Sequence, residues 1–280
     1  MKKALKNTVA IAGCLFVHFL LNRIYFKFKS GNSITHFDDQ YYPWRFGSIR
    51  YRVKGRGEPL LLIHGIYPGA DMTEWQRADA ALYQSYQVYT IDLLGFGHSE
   101  KPNISYSAYL YTRLINSFIK DVVKRPVIAV ASDYSAAYTV MGYVFDPSLY
   151  KKLVLISPAG IEKGDSLPTL RDLVRKWLLE IPILGTSAYI CLAQDKISAK
   201  HLKKLRREGA IASYAPPVIS STAFVGGFNA KLPVFALLCK FLNVNIKSKL
   251  NRIEIPMLIL SRVYIGLRDL PESLKSFLDA

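Results

Sequence analysis

Apolar residues are distributed along this chain in two patterns. Short, largely unbroken runs at residues 59–63, 87–93, 126–131, 152–157 and 255–261 are bounded by Gly, Pro, Asp or Ser. Runs of that length, rich in Val, Ile and Leu, predict strands buried on both faces of a parallel sheet. Between them the spacing becomes helical. Trp75, Ala78, Ala81 and Leu82 share one face of a predicted helix over 72–85, and a second helix is predicted over 106–123. Residues 136–141 read as a buried helix, and 48–54 alternates as a strand wet on one side. Strands and helices in this alternation predict an α/β fold, a mostly parallel sheet flanked by helices.

From residue 159 to 252 the pattern changes. Pro168, Pro182, Gly185, Pro216-Pro217, Gly226-Gly227 and Pro233 punctuate helical segments such as 170–179 and 199–208. The expected division is an N-terminal segment at 1–30, a linker at 31–47, an α/β core at 48–158 and 253–280, and a helical insertion at 159–252. A short helix is expected at 272–278.

The N-terminal segment carries Lys2, Lys3 and Lys6, an apolar run at 8–21, and Arg23, Lys27 and Lys29. The run of about 14 residues falls short of the ~20 that span a bilayer. Ile24, Tyr25 and Phe26 extend it to 8–26, with Arg23 snorkelling. A basic start before an apolar run also fits a signal peptide, but no Ala-x-Ala-like site follows. The expectation is an uncleaved membrane anchor, in the cell membrane; the alternative is secretion. Basic residues on both flanks leave orientation open. His18 is expected to be a tolerated polar residue.

The charge adds to this picture. The balance of 37 Lys+Arg against 21 Asp+Glu gives +16, which favours an anionic partner. No nucleic-acid motif accompanies it, so a membrane surface is expected and no nucleic acid. Cys14, Cys191 and Cys239 are far apart in apolar contexts and read as buried small hydrophobes, with neither metal nor disulfide spacing. No nucleotide loop or cofactor motif occurs, and no cofactor is expected.

The chemistry centres on residues 126–138. An apolar strand runs into Ala131-Ser132-Asp133-Tyr134-Ser135 and then a helix. Strand, sharp turn, helix is the layout that lifts one reactive side chain above a sheet, with small residues on either side. Ala131 and Ser135 take the small positions and Asp133 the apex. The competing reading is a helix start capped by Asp133. Two further landmarks stand nearby: His64-Gly65 ends a predicted strand, and Asp92-Leu-Leu-Gly95-Phe-Gly97-His98-Ser99 forms a glycine-bearing loop. Together these resemble the α/β-hydrolase family, and within it the aspartate-nucleophile branch of haloalkane dehalogenases and epoxide hydrolases. Ala131 and Ser135 stand where that pattern has glycines. The resemblance covers about residues 48–261. It implies that the insertion caps the site with helices that supply a pocket for a small apolar substrate or ligand. It also implies that the backbone N–H groups of Ile66 and Tyr134 form an oxyanion hole, with His64 and His98 structural.

The same resemblance implies an acid and a histidine after the last strands, in the order nucleophile, acid, histidine, and against it the C-terminal part of the core is expected to be shortened. The histidines are His18, His36, His64, His98 and His201, and none follows residue 201. Asp269, in Arg268-Asp-Leu-Pro271, stands where the pattern would carry the histidine. An aspartate is ionised at neutral pH and needs no base for a first attack. Releasing the resulting ester needs an activated water; Glu162, Asp165, His201 or Asp269 would have to stand in for the histidine. Ser132 and Ser135 read as turn hydrogen-bonders. Three readings remain open: a membrane-anchored hydrolase of a small apolar ester, halide or epoxide; a catalytically silent relative acting as a binding or scaffold protein; and a truncated product.

Overall fold

The computed structural model describes residues 2–30, 38–161, 167–193, 223–260 and 272–279. A seven-stranded sheet runs in the order β1-β2-β4-β3-β5-β6-β7. Its strands are β1 (Gln40–Trp44), β2 (Gly47–Lys54), β3 (Glu58–Ile63), β4 (Tyr86–Ile91), β5 (Val127–Ser132), β6 (Tyr150–Ile156) and β7 (Met257–Leu260). The β1-β2 and β2-β4 pairs are antiparallel, and the rest of the sheet is parallel. The α/β expectation is met.

The unbroken apolar runs follow from burial on both faces. In β3, Leu61 and Ile63 join the larger core while Leu60 and Leu62 join the smaller one across the sheet. Val127, Ala129 and Ala131 of β5 divide in the same way from Ile128 and Val130. Side chains alternate across a strand, so a strand with two covered faces has no polar positions. The larger face is covered by α3 (Ala108–Phe118), extended by a π-helical turn (Ile119–Val123), and by α4 (Asp133–Phe145). The other is covered by a 3-10 turn (Met72–Trp75) with α2 (Gln76–Leu82), and by the C-terminal helix Glu272–Asp279. Ala81, expected on the apolar face of one continuous helix, is exposed, because the 3-10 turn shifts the phase of α2.

Strand β1 lies inside the expected linker. Its Pro43 is tolerated because β1 is an edge strand, where a missing N–H breaks no ladder on the open side. Nor is β2 cleanly alternating: neighbouring Ile49 and Arg50 are both buried. Arg50 points into a buried ionic cluster, 2.7 Å from Asp39 and 3.2 Å from Asp92. Asp92, at the end of β4, also accepts the backbone N–H groups of Met72 (2.7 Å) and His98 (2.8 Å). That cluster explains the glycine-bearing loop. Gly97 has φ +48°, and a methyl group there would overlap the Asp92 carboxylate.

Four described helices fall within 159–252: α5 (Leu170–Glu180), α6 (Pro182–Leu192), α7 (Lys231–Leu238) and α8 (Lys247–Leu250). The helix expected at 199–208 lies outside the described residues. The N-terminal helix α1 (Lys2–Ser30) is long and apolar enough over Lys6–Lys29 to cross a membrane. Its C-terminal part docks on α6 and the segment before α7. Ser187 lies 2.7 Å from His18 and accepts from Asn22 at 3.1 Å, and Phe26 packs among Tyr189, Phe224 and Phe228. His18 therefore has a polar partner within the fold. Of the cysteines only Cys239 is buried; Cys14 and Cys191 are exposed, correcting the expectation for those two.

Two outcomes follow for stability. Asp92→Ala leaves Arg50 buried beside one remaining carboxylate, and thermal or urea unfolding is expected to show a loss of about 3–5 kcal/mol. Burial also pushes the Lys101 ammonium, which donates to Gly97 O (2.7 Å) and Ser99 O (3.1 Å), down to about 8 from 10.5. The folded chain sheds this proton before the unfolded chain does, so this group adds stability as pH rises through that window. Unfolding followed between about pH 8 and 10 is expected to show wild type gaining on Lys101→Met.

Candidate active site

Strand β5 ends at Ser132 and α4 begins at Asp133, with no intervening loop. The reversal is taken up at Asp133, whose φ of +55° lies in the left-handed region. A non-glycine residue held there costs about 1–2 kcal/mol. The N-cap position falls to Ser132, and its hydroxyl does not cap the helix. Asp133 is therefore not the cap that a simple helix start would need; it is the first helical residue, in a strained conformation. Ala131 and Ser135 beside it are fully buried, which is why both flanks are small.

The end of β3 is held against this turn. Ser135 Oγ donates to His64 O at 2.6 Å. A Cβ added at Gly65 would stand 3.1 Å from Ser132 Oγ and 3.3 Å from Asp133 Cβ, so glycine gives the close approach. Ile66 is buried, and Tyr134 is half-buried with its hydroxyl 3.3 Å from Asn243 Oδ1. The segments carrying both expected oxyanion donors thus converge beside Asp133. Glu162, Asp165, His201 and Asp269 lie outside the described residues.

Sequence reasoning missed Glu74. Its Oε1 accepts from Ser132 Oγ at 2.5 Å, and its Oε2 accepts from Gly65 N (2.9 Å) and Tyr67 Oη (3.0 Å). A carboxylate with three donors is a strong local tie, and this one joins the 3-10 turn after β3 to the residue preceding Asp133. Nothing in the local sequence marks it, because Glu74 and Ser132 are 58 residues apart.

The described histidines do other work. Nε2 of His64 accepts the Leu93 N–H at 3.0 Å, so Nδ1 carries the hydrogen to Gly65 O at 2.7 Å. His98 lies 2.5 Å from Arg50 Nη1, and burial together with that guanidinium holds its imidazole below the ordinary value. Both are engaged by partners within the fold. His18 is on α1, bonded to Ser187.

The backbone at residue 133 can be tested without any substrate. Asp133→Gly relieves the strain and is expected to unfold at or above the wild-type temperature. Asp133→Val, β-branched at positive φ, is expected to be at least about 2 kcal/mol less stable than the glycine variant. Equal stability of the two would mean that residue 133 is not held in this conformation.

Comparison with known proteins bears on the family and the fold. The model of the alpha/beta hydrolase family matches residues 60–241. A 2-hydroxy-6-oxo-6-(2'-aminophenyl)hexa-2,4-dienoic acid hydrolase of Metapseudomonas resinovorans is 32% identical over 114 residues, 40% of this chain and 39% of that protein. A soluble epoxide hydrolase of Corynebacterium sp. (strain C12) is 26% identical over 122 residues, 43% of this chain and 42% of that protein. The matched stretches thus span about two-fifths of these curated relatives. A crystal structure of a serine hydrolase involved in carbazole degradation superimposes with TM-score 0.61 at 18% identity, over 86% of this chain and 98% of that one. This chain belongs to the alpha/beta hydrolase family.

Proposed function

We propose that this protein is a membrane-anchored member of the family in which Asp133 attacks a small apolar carbon electrophile, a halide or an epoxide. The observation that carries the proposal is the backbone of Asp133: a carboxylate at φ +55°, on the first residue after a buried strand, with Gly65 against it. A carboxylate oxygen displaces halide, or opens an epoxide whose oxygen then takes a proton from water, and an alkyl ester of Asp133 forms. Hydrolysis of that ester would develop an oxyanion, for which the N–H groups of Ile66 and Tyr134 are the candidate donors. Likeness to a soluble epoxide hydrolase supports the electrophile class. The length and exposed apolar surface of α1 support anchoring.

Release of the ester is the weaker half of the cycle. His64 and His98 are engaged elsewhere, and Glu74 already accepts three hydrogen bonds, so it acts as a positioning group. Water activation then falls to Glu162, Asp165, His201 or Asp269. The engagement of both core histidines also favours a second reading, a silent relative that binds an apolar ligand without turning it over.

Intact-mass measurement of the full chain in detergent, after incubation with a reactive alkyl halide or an epoxide, distinguishes these. An adduct that persists on Asp133 and is missing in Asp133→Asn is the expected result. Released product without adduct would mean that a base is present. Neither adduct nor product, in protein that melts cooperatively, would leave the binding reading.

A further inference from the structure

Helix α5 carries its apolar residues on the wrong side for a core helix. Leu170, Leu173, Val174, Trp177 and Leu178 are all exposed, Leu170 at 77% and Trp177 at 65%. At 100° per residue they share an arc of about 140°. The opposite face points inward and is partly polar. Asp172 is buried, 3.8 Å from Lys240 of the segment after α7, and Lys176 lies over the Phe241 ring. The helix is well made, with a capping box between Thr169 and Asp172, so its outward apolar face is not a frayed end. Leu184, at the start of the adjoining α6, is exposed as well. Arg171 and Arg175 stand exposed along one edge of the stripe.

The anchor supplies the second half of the argument. From His18 onward α1 is held by α6 and by the segment around Phe224 and Phe228. The part of its apolar span that precedes His18, residues 6–17, is about 18 Å of helix at 1.5 Å per residue, whereas a hydrocarbon core is about 30 Å thick. A helix with so little free length reaches across only if the surface that holds the remainder sinks to the level of the lipid headgroups. The surface that holds it is α6, and α6 packs on α5.

We propose that the outward face of α5, with Leu184, is a second membrane contact: it lies in the interface of the bilayer that α1 enters, its apolar stripe in the acyl boundary and its arginines at anionic headgroups. An amphipathic helix with an apolar face, a tryptophan and flanking arginines suits that position. The net charge of +16 favours an anionic leaflet. The proposal rests on α1 being a membrane anchor, and not on any activity at Asp133.

Trp177 makes the test direct. The other tryptophans, Trp44 and Trp75, are buried in the fold. The full chain is reconstituted into vesicles of phosphatidylcholine and phosphatidylglycerol, and its flotation with them is measured first. Emission is then compared in vesicles whose acyl chains are brominated just below the headgroups. The expected result is co-flotation, with most of the Trp177 intensity quenched and blue-shifted. That difference should vanish in Trp177→Phe, and quenching should fall at least twofold in Leu173→Glu. Co-flotation with Trp177 unquenched overturns this proposal alone, leaving α5 in water or against a second copy of the chain. Failure to float overturns it together with the anchor.

Discussion

Glu74 is the junction on which the candidate site depends. One carboxylate accepts the Gly65 N–H, the Ser132 hydroxyl and the Tyr67 hydroxyl, and so ties the end of β3 to the last residue of β5. Those two strands are already paired, but pairing ends at Ile63 and Ala131. Beyond the last rung two chains diverge unless something holds them. The Ser135 hydroxyl on His64 O adds a second tie across the same gap. Together they keep the His64-Gly65 turn against a residue whose own backbone is strained. Strain of that kind persists only where the surroundings over-determine it.

The large features of the fold were legible in the sequence because burial on both sheet faces leaves no choice of residue. Leu60 to Ile63 and Val127 to Ala131 have covered neighbours on either side, so the apolar runs are a direct imprint of the architecture. The turn at Asp133 was legible for a related reason: small flanking residues are needed wherever strand and helix pack at a tight reversal. Strand β1 was not, because an edge strand of Tyr-Tyr-Pro-Trp has neither alternation nor an unbroken run. Glu74 was invisible for a different reason. Its role is made by contacts across the sheet, and no local pattern encodes those.

Charge tells a similar story. Arg50 and Asp92 read as parts of two strands, yet with Asp39 they form one buried cluster, on which the loop carrying Gly97 and His98 is built. The loop glycines were legible as a motif; the carboxylate that requires Gly97 became evident only in three dimensions. Apolar residues of the insertion were equally ambiguous. Tyr189, Phe224 and Phe235 are buried in the larger core, whereas the stripe on α5 faces outward, and composition alone does not separate the two.

The choice of aspartate at the elbow sets how the rest of the chemistry must be judged. A serine there would be inert without a histidine, because a neutral hydroxyl attacks poorly. On the proposed reading, a carboxylate would keep its first step without one, because the attacking oxygen needs no proton removed. What it could not do unaided, on that reading, is release the ester it forms. His64 is committed at both ring nitrogens and His98 is set against Arg50, so in the described core neither histidine is turned toward Asp133 as a base. On the proposed reading, capture and release are therefore separable steps, and the second would call on a group other than the two histidines of the described core.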